Sequence, residues 1–199
     1  MFDPGKFSFI EGLVKPETFR HVAQVIITHD HPDHLDVDIL KQIVNLSGAQ
    51  VLSTQEVADK LHPLAIPVRV IEEGTFQLGT FSLQAISVQH EPVLDDHLPR
   101  MFAFVINDQV INPADSFSPS LLNYKGIELL VLPVMAPFLT ELMVADFAKQ
   151  IQPKQILPVH DGYAKSFFLK QRYETYGPYF EKLGIQFHYL TEPGQAIIL

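Results

Sequence analysis

The chain has 199 residues, 47% hydrophobic and 19% charged, a globular composition with apolar side chains enough for a substantial core. Fourteen Lys and Arg against 23 Asp and Glu leave a formal charge of −9, which argues against a nucleic-acid partner. There is no cysteine, so disulfides, thiolate metal sites and cysteine nucleophiles are excluded, and any metal must be held by histidine and carboxylate.

The first stretch, to about residue 20, is apolar but aperiodic and reads as a loop without the basic and apolar regions of a signal peptide. Val22 to Ile27 reads as a buried strand. Val37, Leu40, Ile43 and Val44 recur at helical spacing, with Gly48 as the stop. Val51 to Ser53 is a short strand, and Thr54 caps a helix carrying Val57, Ala58 and Leu61. Val68 to Ile71 and Thr80 to Gln89 read as strands. Met101 to Ile106 and Val110-Ile111 form a hairpin around Asn107-Asp108. Ile127 to Leu132 is a strand, and Leu139 to Ile151 a helix capped by Thr140. Gln155 to Val159 is a strand. Tyr163 to Leu183 is a long helix, with Gly177-Pro178 as the place where it would break. Gln186 to Leu190 and Ala196 to Leu199 close the chain as strands. About nine strands and four helices imply an α/β fold with sheets covered by helices. No repeat or linker divides the chain, which predicts one domain over 1–199. No run reaches the ~18 apolar residues of a membrane span. A cytoplasmic protein with no membrane or nucleic-acid partner is expected. Lys165, Lys170, Arg172 and Lys182 read as the solvated face of the last helix.

The informative stretch is Thr28-His29-Asp30-His31-Pro32-Asp33-His34-Leu35-Asp36, directly after the first strand. Three of the 9 histidines fall within six positions. On an extended loop His29 and His31 point to the same side. Pro32 interrupts the run, so Asp33 and His34 face a second point, and one loop can serve two neighbouring ions. Imidazole and carboxylate suit Zn²⁺, Mn²⁺ or Fe²⁺. The plainer alternative is a polar loop that caps the next helix. Three further candidates, His90, Asp115 and His160, each follow a strand, at the end where α/β proteins build sites. Taken singly they read as a turn histidine, a helix cap and a core histidine. Behind the loop motif they read as a ligand set.

These residues resemble the signature of the metallo-β-lactamase superfamily: His29-x-His31-x-Asp33-His34, then His90, Asp115 and His160 in order, each past a strand. Asp3, in Asp3-Pro4-Gly5, is similar to the family's early aspartate, which supports the metal loop. Ile156-Leu157-Pro158-Val159-His160 is similar to the final-histidine segment of the branch related to L-ascorbate-6-phosphate lactonase. Glyoxalase II-like, RNase Z-like and flavodiiron-type proteins fit less well. The first carry an added helical domain, the second a basic arm, and the third a carboxylate in place of His31. The resemblance implies an αββα sandwich, two mixed β-sheets packed face to face with helices outside. Members carry a strand pair before the early aspartate, so an N-terminally shortened form is expected. That would leave Asp3 on a loose terminus and an apolar face uncovered, which invites a homo-oligomer.

The resemblance further implies two divalent metal ions, Zn²⁺ first, with Mn²⁺ or Fe²⁺ tolerated. His29, His31 and His90 would hold one and Asp33, His34 and His160 the other, with Asp115 bridging. A two-metal-bound hydroxide would then cleave an ester, lactone or phosphodiester in a small-molecule substrate, with Asp33 orienting it or taking its proton. His97, on a loop expected to overhang the site, is the candidate acid, and Arg100 the candidate substrate anchor. Asp30, Asp36 and Asp161 are candidate acceptors behind the histidines. His21, His62 and His188 are given no role, and the 15 phenylalanines are expected in the core. The competing expectation is a non-catalytic metal-binding or regulatory relative.

Overall fold

The apolar run before the histidine motif forms strand β1 (Gln24–Ile26), whose Val25 and Ile26 are buried. The computed structural model describes residues 1–10, 12, 14–190, 192 and 194–199. They fall into two compact units, Met1–Glu73 with His97–Phe102, and Gly74–Asp96 with Ala103–Leu199.

In the first unit β1, β2 (Gln50–Ser53) and β3 (Val68–Val70) form a parallel sheet in that order. Helix α1 (Val37–Ser47) joins the first two strands and α2 (Gln55–Leu61) the next two. The expected signals set both helices. Asp36 accepts the Ile39 N–H at 3.0 Å and Thr54 accepts that of Val57 at 3.4 Å, satisfying first-turn donors that no helical carbonyl reaches. Gly48, at φ 69°, ends α1. Leu40 and Ile43 of α1 pack into one core with Val25, Val51, Val57 and Leu61. Asp36→Ala removes the α1 cap and is expected to cost about 1 kcal/mol. Thermal unfolding will then show a fall of about 2–4 °C.

The chain start is not loose. Asp3 N–H donates to Ile26 O (3.0 Å) and Ile26 N–H to Met1 O (2.9 Å), so the first residues run beside β1. The α-ammonium of Met1 donates to Gln24 O at 3.0 Å.

The second unit is built on a seven-stranded sheet. Its order is β10 (Gln186–Phe187), β9 (Gln155–Val159), β8 (Leu129–Pro133), β7 (Val110–Asn112), β6 (Met101–Ile106), β5 (Phe81–Val88) and β4 (Gly74–Leu78). The first four run parallel, and the β6–β7 and β4–β5 pairs are antiparallel. The hairpin turn lies where expected. Gln109 N–H donates to Ile106 O across Asn107 and Asp108, both at positive φ (51° and 55°), a conformation these two residue types tolerate. Helix α3 (Glu141–Ile151) starts on its Thr140 cap and buries Val144, Phe147 and Ile151.

Three expectations are corrected. Strand β4 was missed, because Gly74–Leu78 buries only Leu78 outright and shows little apolar contrast. Helix α4 (Ser166–Glu181) runs through Gly177-Pro178 without a break. Its Tyr173, Tyr176 and Phe180 are buried, and a glycine before the proline has no Cβ to collide with the ring. Ala196–Leu199 is not a strand, and Ile198 is 94% exposed, so no buried face sets a register there.

Candidate functional site

In the first unit the motif leaves the carboxyl end of β1 and folds its histidines together. The His29 and His34 rings lie 4.0 Å apart, centroid to centroid, and both residues are buried. Asp3 organises them. Its carboxylate accepts the Thr28 N–H (2.7 Å) and the Thr28 hydroxyl (2.9 Å), and stands 3.0 Å from His34 Nδ1. Because the Thr28 hydroxyl donates to Asp3, its lone pair is left to accept from His29 Nδ1 at 3.0 Å. One carboxylate thus sets the tautomer of two histidines, accepting from His34 Nδ1–H directly and from His29 Nδ1–H through Thr28. The Nε2 lone pairs of His29 and His34 then point away from it. His29 Nε2 lies 3.1 Å from His31 Nδ1, a gap that one proton or one ion fills. Two nitrogens bound to a tetrahedral zinc at 2.0–2.1 Å stand about 3.3 Å apart, close to this spacing. His34 Nε2 lies 3.6 Å from Asp33 Oδ2, again the spacing of two ligands.

In the second unit, His90 follows β5, Asp115 follows β7 and His160 follows β9. Asp115 Oδ2 lies 3.4 Å from both His90 Nε2 and His160 Nε2, and it is only 2% exposed. These gaps exceed a good hydrogen bond and suit donors arranged around a shared ion. The tautomers are fixed from behind. His90 Nδ1 donates to Glu91 O (2.5 Å) and His160 Nδ1 to Met135 O (2.6 Å), leaving both Nε2 atoms as lone pairs beside Asp115. The backbone bends sharply here. His160 has φ 64°, and Ala114 has φ 51°, where its N–H is held by Asn112 Oδ1 at 3.1 Å. Left-handed conformations at non-glycine residues gather at functional sites. Glu91 stitches the β5 and β7 ends: its N–H donates to Asp115 O (2.8 Å), and its carboxylate accepts the Phe117 N–H (2.8 Å).

The other candidates lie elsewhere. Asp30 is bound by Lys60 at 3.1 Å, Asp36 caps α1, and Asp161 accepts the Tyr173 hydroxyl at 2.6 Å. Burial and the Asp161 carboxylate push the Tyr173 phenol well above its usual range, so it stays a donor. His97 and Arg100 were expected on a loop overhanging the site, and both are tethered to Glu56 at the start of α2. His97 Nε2 lies 3.3 Å from Glu56 Oε1 on a side chain that is 78% exposed, and Arg100 donates its main-chain N–H to Glu56 Oε2 at 2.7 Å. His188 bonds Gln155 Oε1 at 2.7 Å, and burial lowers its basicity.

Sequence reasoning missed Thr28, Glu91 and the carbonyls of Glu91 and Met135, which carry no motif. It also missed the packing role of Gly5, where a Cβ would fall 1.6 Å from Asp33 O. The donor set fits a transition metal: imidazoles, four of them with Nδ1 bonded to an acceptor, and the Asp33 and Asp115 carboxylates. Asp3→Ala releases both His29 and His34 and is expected to weaken metal binding 10–100-fold. A competition titration against a chelator of known affinity checks it; unchanged affinity would show that Asp3 only anchors the chain start.

Comparison with known proteins gives the family and the fold. Protein Rv0786c of Mycobacterium tuberculosis (strain ATCC 25618 / H37Rv) is 25% identical over 173 residues, covering 81% of this chain and 75% of that protein. A crystal structure from Parabacteroides distasonis ATCC 8503, named a candidate metal-dependent hydrolase, aligns with a TM-score of 0.64 at 20% identity, over 85% of this chain and 78% of that one. A metallo hydrolase from the archaeon Ignicoccus hospitalis KIN4/I aligns with a TM-score of 0.63 at 19% identity, over 89% and 79%. These likenesses show the fold. The profile of the Beta-lactamase superfamily domain matches residues 1–160, from the chain start through His160. The chain belongs to the metallo-β-lactamase superfamily of metal-dependent hydrolases.

Proposed function

We propose that the candidate ligands hold two metal ions and that the protein hydrolyses an ester, lactone or phosphodiester in a small molecule. His29, His31, His90 and Asp115 would hold one ion, and Asp33, His34, Asp115 and His160 the other. The observation that carries the reading is the tautomer control. Four of the five candidate histidines have Nδ1 committed to an acceptor: Thr28 Oγ1, Asp3, Glu91 O and Met135 O. With Nδ1 so committed, each Nε2 lone pair is turned to the metal side, as a histidine ligand requires. Two divalent ions, Zn²⁺ first among the candidates, would supply a water acidic enough to attack at neutral pH and a Lewis acid for the substrate oxygen.

The protein's own groups do the rest. Asp33 orients the attacking water and takes its proton. Asp3, directly at His34 and through Thr28 at His29, fixes which ring nitrogen carries the proton and the direction of each ring. Asp115 contributes the buried negative charge that offsets two cations. The Ile156–His160 segment keeps lactones in the panel of substrates.

The test is turnover by zinc-loaded parent and His31→Ala on p-nitrophenyl esters, lactones and bis-p-nitrophenyl phosphate. The parent is expected to turn over at least one class, with a loss of about 100-fold or more in the variant at unchanged circular dichroism. A well-metallated parent inert to all three would favour the non-catalytic alternative.

A further inference from the structure

Aromatic rings from two loops of the second unit stand against its candidate ligands. Phe138, between β8 and α3, meets the His90 ring edge-on at 5.3 Å and lies 6.4 Å from the His160 ring. Tyr163, between β9 and α4, stacks on His160 at 5.5 Å and 18°. Neither is a core residue, contrary to the expectation for the phenylalanines: Phe138 is half-buried and Tyr163 exposed. The helices that follow these loops start with large apolar side chains facing solvent. Leu142 of α3 is 75% exposed and Phe167 of α4 is 74%. Arg172 ties the two helices: its guanidinium is 2.6 Å from Glu141 and 5.2 Å over Phe168. That cation is therefore already neutralised by a carboxylate. Phe138 and Tyr163 thus put apolar area next to the His90–Asp115–His160 set, and apolar area lining candidate ligands marks a binding site.

We propose that Phe138 and Tyr163 form an apolar wall for the substrate, whose acyl or leaving group is alkyl or aromatic. The favoured substrate class is then an apolar carboxylic ester or lactone, in preference to a phosphodiester. This rests on the hydrolase reading above. The wall selects by removing methylenes from water, each worth up to about fourfold in affinity. The rings also shield the histidine side of the site from solvent.

The test separates the wall from the chemistry. Hydroxamates chelate zinc without being turned over, so acetohydroxamate and hexanohydroxamate are titrated calorimetrically into zinc-loaded protein. The parent is expected to bind the longer probe at least tenfold more tightly. Phe138→Asn and Tyr163→Asn, each made singly, are expected to cut that ratio to about threefold or less at the parent's zinc content, while Phe138→Leu retains it. A parent ratio near one, or an undiminished ratio in the Asn variants, overturns the wall. A fall in zinc content in those variants also overturns it, because the rings would then merely support the ligands. Turnover is followed beside binding on p-nitrophenyl acetate and hexanoate. Preference for the longer hydroxamate without hydrolysis of any ester or lactone would sustain the wall and sink the hydrolase reading. Hydrolysis with no dependence on chain length would do the reverse.

Discussion

Asp115→Asn is expected to lower kcat/KM by about 10³-fold or more on whichever substrate the parent turns over. The change keeps the side chain's size and removes its charge. Asp115 is buried, with Oδ2 3.4 Å from the Nε2 atoms of both His90 and His160. An amide there presents a weaker oxygen donor and brings an N–H₂ that faces histidine lone pairs or a cation. Several kcal/mol of transition-state stabilisation by bound metal would be lost, which is the source of the estimate. Stability should move the other way. Without metal, a buried carboxylate is a cost that the amide relieves in part. Metal-free Asp115→Asn is therefore expected to melt no lower than metal-free parent. Ligand binding to the native state stabilises it by about 2.7 kcal/mol at a hundredfold excess over Kd, and this increment should vanish in the variant. Calorimetry of parent and variant with and without zinc checks both. A variant that keeps the full zinc-induced rise in Tm would remove Asp115 from the site.

Gly5→Ala is expected to be strongly damaging. The added Cβ would lie 1.6 Å from Asp33 O, 2.1 Å from Asp33 C and 2.7 Å from His34 N, all backbone atoms of the metal loop. No rotamer change relieves such a contact, so one backbone must move. The chain there is tied on both sides, by Lys6 N–H to Pro32 O (3.1 Å) and Asp36 N–H to Pro4 O (3.2 Å). Moving the first segment drags Asp3 from Thr28 and His34, and moving the second displaces Asp33 and His34 themselves. A loss of about 3 kcal/mol is expected, or roughly 6–12 °C in Tm, with metal affinity down by at least the 10–100-fold expected for Asp3→Ala. Gly48→Ala is the control. Its Cβ meets nothing within 4 Å, so only the left-handed backbone is strained, at about 1–2 kcal/mol, with metal binding intact. Equal effects of the two substitutions on metal affinity would show that the close approach at Gly5 does not shape the loop.

Much of this was legible in the residues. The histidine loop, and His90, Asp115 and His160 past their strands, stood out because ligand chemistry restricts residue type. The caps Thr54 and Thr140 and the turn Asn107-Asp108 were legible because each answers a local backbone demand. The groups that aim the histidines were not. Glu91 O and Met135 O are main-chain atoms that any residue supplies, and Thr28 acts through a relay that exists only once Asp3 is folded against β1. The collision awaiting a side chain at Gly5 is a tertiary fact 28 residues removed from its partner Asp33, with no local signature. His97 was expected on a loop over the site; its contact with Glu56, 3.3 Å away, has no signal in the sequence.

The central proposal is that His29, His31, Asp33, His34, His90, Asp115 and His160 hold two metal ions. The direct measurement is metal content per chain by elemental analysis, after equilibration with zinc and removal of excess, for the parent, His31→Ala and Asp115→Asn. The account predicts about two ions in the parent, and a loss of bound metal both from the first-unit variant and from the second-unit variant. A parent that takes up no metal while folded, or two ions retained in either variant, would contradict it.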